Sequence, residues 1–242
     1  GNLDVSQSSG TGVGWVSATV PASAGKWYWE TTLGSPVLHV GILTTAKSLS
    51  EGTSQMPGDN AQGWVYRNDG QKENGSTMTS YGDTFTTNDV ISVAWDADIG
   101  AIWFAKNGTW QASATEAEIE AGTTTNAAFS SGIAGVECRP VTAEDTGGDA
   151  QSWVGNFGQH SFTGSMPSGF SHLSTANLSA PTIADPSGSF QTTLYTGNGS
   201  TQSIDQGGNS QFSPDFVWIK NRDAADDHCW FDSVRGATKL LS

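Results

Sequence analysis

Four histidines, two cysteines and a scatter of paired acids are the side chains in this chain with the chemistry for catalysis or metal binding. Glycoside hydrolysis needs two carboxyls, one on each side of the scissile bond. The nearest arrangements are Asp96/Asp98 and Glu116/Glu118/Glu120. The first lies in DADIG, a turn sequence in which Asp serves the backbone. The second lies in TEAEIEA, a short helix-like stretch with Thr115 as cap and Glu118 three residues on. Neither falls on the concave face of a sheet. No Gly-x-Ser-x-Gly elbow and no Gly-x-x-x-x-Gly-Lys-Ser/Thr phosphate cradle is present. His228 adjoins Cys229, but no second Cys/His pair completes a zinc site. His39 falls in a strand and reads as a structural histidine, while His160 and His172 read as surface positions. These residues predict no enzyme and no cofactor. Asp59/Asn60, Asn68/Asp69 and Glu144/Asp145/Asp149 are loop groups that a structural calcium would take, without the ordered spacing of a dedicated loop.

The elements that position these groups are strands. The sequence YGDTFTTNDVISVAWDADIGAIWFAKNGTW, residues 81–110, is the organising stretch. Ile91, Val93 and Trp95 point one way, and Val90, Ser92 and Ala94 the other. Ile102 and Phe104 then alternate with Trp103, and Asn107-Gly108 supplies the positive φ values of a type I′ hairpin turn. A three-stranded meander is marginal alone and requires a larger sandwich. Before it come strands at 13–20, at 26–33 (Trp27 and Trp29 against Tyr28 and Glu30), at 37–43 and at 63–67. Residues 44–61 read as a loop with Met56-Pro57-Gly58-Asp59 at its tip, and 72–80 as an edge strand and loop. After the meander, 127–138 reads as a strand, 141–152 as an acidic loop and 153–157 as a closing strand.

GDTFTTNDVISVAWDADIGAIWFAKNGTW resembles the central signature of a SPRY domain. GKWYWE (25–30), HVGIL (39–43), GWVYRNDGQKENG (63–75) and WVGNFGQHSF (153–162) resemble that family's other core strands, in order. The wording, including GFSHLSTANL, is similar to SPRY-containing proteins of tailed phages and prophages. The resemblance implies an all-β fold, a concanavalin-like jelly-roll β-sandwich, over residues 1–173. A Pro/Ser/Thr linker follows at 174–189, and 190–242 reads as the start of a second, truncated β module. Strand signals there are FVWI and HCWFDSVRG, and LYTGNGSTQSI is a hairpin signal.

SPRY domains are recognition modules, so the resemblance implies a ligand surface on loops at one end of the sandwich. By position, the loops 44–62, 67–76 and 141–152 are expected to share that rim. The residues near them that could contact a ligand are Trp64, Tyr66, Arg67, Asp69, Trp110 and Trp153. Aromatic faces stack on sugar rings or apolar peptide groups, and Arg offers directional donors. Trp27, Trp64, Trp95 and Trp103 read first as core side chains, and Trp110 fits either role.

Composition narrows the partners. Lys+Arg is 10 against Asp+Glu 24, a net charge of −14, with no basic stripe for phosphates or anionic lipid. Thirty glycines suit tight turns, and ten Trp with ten Phe supply a core. No apolar run spans a bilayer and no signal pattern is present. The chain opens on Gly1-Asn2-Leu3, which reads as part of a longer polypeptide. Cys138 and Cys229 read as two separate thiols, with an interdomain disulfide as the alternative. The expected function is a non-enzymatic component of a phage virion or surface assembly, such as a fibre, tail or capsid decoration. It would be extracellular and homo-oligomeric, contacting neighbouring subunits and presenting the SPRY sandwich to host-surface glycan or protein. The alternative is the carbohydrate-binding, targeting module of a larger carbohydrate-active enzyme.

Overall fold

Segments that alternate apolar and polar side chains satisfy their backbones by pairing edge to edge. In the computed structural model they do so in two facing sheets, antiparallel apart from one short pairing. The structure describes residues 4–7, 14–35, 39–47, 55–144, 151–178, 183, 185–208, 212–236 and 239–241. Strands in chain order are β1 (Asp4–Gln7), β2 (Gly14–Ser17), β3 (Lys26–Leu33), β4 (His39–Thr44), β5 (Gly63–Arg67), β6 (Gln71–Asn74), β7 (Thr77–Ser80) and β8 (Val90–Asp96). There follow β9 (Ala101–Lys106), β10 (Thr109–Trp110), helix α1 (Glu116–Glu120), β11 (Cys138–Glu144), β12 (Gln151–Asn156) and β13 (Ser171–His172). A last pair is β14 (Phe216–Ile219) and β15 (Cys229–Asp232). One sheet runs β1-β12-β3-β8-β9-β10, with β13 beside β3; the other runs β2-β11-β4-β5-β6-β7.

The predicted parities hold. Trp29, Ile91, Val93, Trp95, Ile102 and Phe104 from the first sheet meet Val40, Ile42, Trp64 and Tyr66 from the second in one core. Each large side chain so buried contributes roughly 2–3 kcal/mol of transfer free energy. The opposite parity of the first sheet, Tyr28, Ala94 and Trp103, is covered by Ile119 of α1 and by Phe170. Five residues are too few for a free-standing helix. Helix α1 is held by buried Ile119 and by a reciprocal cap, in which Glu118 N donates to Thr115 Oγ1 (3.2 Å) and Thr115 N to Glu118 Oε2 (2.9 Å). Asn107 and Gly108 have φ of 49° and 80°, as the hairpin turn requires.

Three segments differ from expectation. Residues 127–137 form turns rather than a strand, because Gly132 and Gly135 adopt φ of 78° and 69°; only Phe129 makes a bridge, to Ile102. Met56–Asp59 is not an exposed tip. Residues Pro57–Asp59 form a 3-10 turn tucked onto the second sheet, with Met56 buried and its N–H donating to Asp59 Oδ2 at 2.7 Å. Gly63 makes this close packing feasible, since a Cβ there would lie 2.0 Å from the Pro57 carbonyl oxygen. The acidic stretch from Val141 begins as strand: β11 pairs through Ala143 and Glu144 with β4 and β2. Residue 13, assigned to a strand from sequence, and the loop residues 48–54 and 145–150 lie outside the described residues.

The chain divides into two compact units, Gly1–Leu178 and Ser179–Ser242. Leu178 still packs against the sandwich core. The second unit contains the β14–β15 hairpin, and none of its described residues is buried. Cys138 and Cys229 are both free thiols; burial pushes the Cys138 thiol up to about 12.

Candidate functional site

Strand direction decides which loops share an end of the sandwich. Strands β4 and β5 run antiparallel, with His39 opposite Arg67 and Leu43 opposite Gly63. The segment leaving Thr44 therefore emerges at the end opposite the β5–β6 turn, where it meets the β6–β7 turn: Gly75 N donates to Asn60 O (3.1 Å). The Arg67 end instead collects the start of β4, the end of β11, the start of β12 and the 81–89 segment. The three loops expected on one rim are thus split between two.

At the Arg67 end the outer face of β4, β5 and β6 carries a polar cluster. The opposition of His39 and Arg67 places both on one face, and β6 brings Glu73 beside them. Arg67 Nη1 donates to Glu73 Oε2 at 2.7 Å and to His39 Nε2 at 3.0 Å. Arg67 Nε donates to Asp69 Oδ2 at 3.2 Å. His39 and Glu73 are fully buried, whereas the Arg67 side chain is 19% exposed and that of Asp69 43%. Burial, and secondly the charge of Arg67, push the His39 imidazole down to about 3. The ring is therefore neutral and Nε2 is the acceptor. Its 3.5 Å approach to Glu73 Oε2 is two acceptors sharing one Arg donor, not an ion pair. With its basicity lowered, its Nε2 lone pair engaged by Arg67 and its ring buried, His39 is poorly placed to take up a proton.

The turn that carries Asp69 is built to be rigid. Gly70 has φ of 84°, and a Cβ there would lie 2.5 Å from the Gly82 carbonyl oxygen. Both Tyr81 N and Gly82 N donate to Gly70 O, at 3.0 and 2.9 Å, and Phe85 N donates to Asn68 O at 3.0 Å. Asp69 Oδ1 accepts from Gln71 N (3.1 Å), closing an Asx turn. Below, the Tyr66 hydroxyl donates to the Asp83 carbonyl, and Gln111 Oε1 accepts from Asp83 N at 2.7 Å. Beside this, Lys106 Nζ sits 3.4 Å from Asp89 and donates to Thr84 O at 2.8 Å. Burial works to raise the Asp89 carboxyl, but hydrogen bonds from Asn107, Thr86 and Lys106 hold it below the usual range.

Of the six residues singled out from sequence, Arg67 and Asp69 stand at this rim. Tyr66 lies beneath it, fully buried, with its hydroxyl spent on the rim backbone. Trp64 and Trp153, 5% and 4% exposed, belong to the core because their strand parity points inward. Trp110 lies on the far face of the first sheet, edge-on to Tyr28 at 6.5 Å. These four therefore offer no ring face at the rim. His39 and Glu73 were missed as its members; their convergence depends on strand register, which QKEN and HVGIL do not reveal. Among the described residues no three His, Cys, Asp or Glu side chains converge as a metal site. Asp145 and Asp149 lie outside the described residues.

A sandwich with a rigid, charge-paired loop end has the build of a binding scaffold. Residues 26–132 match the family model of the SPRY domain, and the first unit carries a SPRY domain. Residues 185–242 match a second family model, a domain of unknown function (DUF7483). Among solved structures, the chain is similar to the SPRY domain of human HERC1, at 17% identity and a TM-score of 0.50. That match covers 66% of this chain and 91% of the other, and it shows the shared fold.

Proposed function

We propose that the first unit is a non-enzymatic recognition module that binds a protein or glycan partner through the Arg67–Asp69 rim. The observation that carries this reading is the state of Arg67. Three of its contacts fix the guanidinium plane, while Nη2 has no hydrogen-bond partner among the described residues and the side chain keeps 19% exposure. A pre-oriented donor loses little entropy when a carbonyl, carboxylate or hydroxyl arrives. The finer setting is a phage virion or comparable extracellular assembly, with the module displayed in several copies toward a host surface. The wording of the motifs and an acidic, lysine-poor composition support that setting. Copy number would then multiply weak contacts.

The test is binding of the full chain to a glycan array and to host cells, compared with Asp69→Ala and Arg67→Lys. Saturable binding that either variant weakens at least about tenfold, with melting unchanged, supports the rim. No binding by the folded wild type overturns it, and leaves a packing role within an assembly.

A further inference from the structure

We propose that the cleft between the two sheets of the first unit, at their β1 and β2 edges, binds a small uncharged amphipathic molecule. Its volume is about 480 Å³, inside the roughly 300–1,000 Å³ of small-molecule sites. The walls are Val5, Val16, Trp29, Trp153, Phe157 and Leu173. Trp29 and Phe157, both in this lining, stack on each other at 6.4 Å with 20° between planes. The mouth is at Val16, which is 43% exposed although its parity points between the sheets.

Two features set the ligand class. No described side chain lining the cleft is charged, so an ionised ligand would lose its hydration without a counter-charge. Hydroxyl-bearing residues nevertheless line it from separate elements: Thr31 on β3, Thr142 on β11 and Ser174 beyond β13. Thr31 and Thr142 stand at inward positions between apolar walls, with buried Glu144 and Gln151 further along the same inward rows and outside the cleft lining. Ser174 Oγ is buried with no hydrogen-bond partner among the described residues, while its backbone is fixed by Ser174 N to His172 O (2.9 Å) and Asn177 N to Ser174 O (3.0 Å). A buried unpaired hydroxyl costs free energy that a ligand oxygen or N–H would recover. Apolar walls facing a gap also forfeit dispersion contacts. A molecule with a ring or branched apolar body and one or two neutral polar groups satisfies both deficits.

The test uses N-phenyl-1-naphthylamine, a neutral aromatic amine whose fluorescence rises in apolar surroundings, titrated into the full chain. Saturation at one molecule per chain is expected. Val16→Trp, which fills the mouth, is expected to weaken binding at least about tenfold, because a packed cleft does not admit the added volume twice. Ser174→Ala, which removes only a hydroxyl, is expected to weaken it about fivefold, the worth of one hydrogen bond. Val154→Trp, at a position outside the cleft and 38% exposed, is expected to leave it unchanged. If Val16→Trp lowers the melting temperature, Ser174→Ala carries the comparison. Absence of saturable binding overturns the proposal. So does binding that Val16→Trp and Ser174→Ala leave intact, and so does binding removed instead by Trp218→Ser in the second unit.

Discussion

His39 carries a cost that depends on pH. Its folded pKa, about 3, lies below the ordinary 6.5, because burial and then Arg67 disfavour the imidazolium. Between those values the unfolded chain binds a proton that the folded chain refuses. The contribution is fully present above pH 6.5 and is lost as pH falls toward 3, at no more than about 1.4 kcal/mol per pH unit. Replacing His39 with Gln keeps a hydrogen-bond acceptor near Arg67 and removes the titration. Urea unfolding between pH 6.5 and 5, where carboxylates change little, should show wild-type stability falling and His39→Gln nearly flat. Equal slopes for the two proteins would remove His39 as the cause. The same lowered basicity, with Nε2 already accepting from Arg67, makes the rim's histidine an acceptor that orients Arg67.

The β5–β6 turn is the element on which the rim depends. Residues 68–70 close between two strands and also receive three backbone N–H groups from 81–85. Gly70 is required twice over: φ is positive, and its missing Cβ leaves room for the Gly82 carbonyl. Gly70→Ala should therefore cost about 2 kcal/mol or more, combining strain with displacement of the 81–85 segment. Gly135→Ala is the control. Its φ is also positive, at 69°, but nothing lies within 4 Å of the added carbon, so about 1 kcal/mol is expected. The check is the denaturation midpoint at constant slope. If both variants lose the same amount, the close approach to Gly82 contributes nothing.

For the whole molecule, burial separates the two units. The first packs large rings from two sheets into one core. The second is a hairpin whose Trp218, Phe216 and Trp230 remain 61%, 55% and 41% exposed. Protection from hydrogen exchange follows buried, hydrogen-bonded structure. Amides of β3, β8 and β9 should exchange last, and those of β14 and β15 much earlier. Equal protection in the two units would mean that the hairpin is covered by a surface of its own kind in solution. The net charge of −14 acts at this scale too, disfavouring polyanionic partners and slowing encounter with acidic ones.

Local periodicity was enough to write much of this fold. VISVAWD and AIWFAK declare their inner and outer faces because side chains alternate with a period of two, and Asn107-Gly108 declares its turn because few other pairs accept both φ values. The capped turn at Thr115 was equally legible, since its two reciprocal bonds lie within four residues. What a sequence cannot show is register and direction between distant strands. Those alone set His39 opposite Arg67, brought Glu73 under the same guanidinium, and sent the loop after Thr44 to the other end. They also turned Trp64, Tyr66 and Trp153 inward, where a ring that could have met a ligand is worth more as core. The strands were determined by the sequence through contacts one and two residues apart. The rim and the cleft were decided by the tertiary structure, because their members come from strands that meet only when the sheets form.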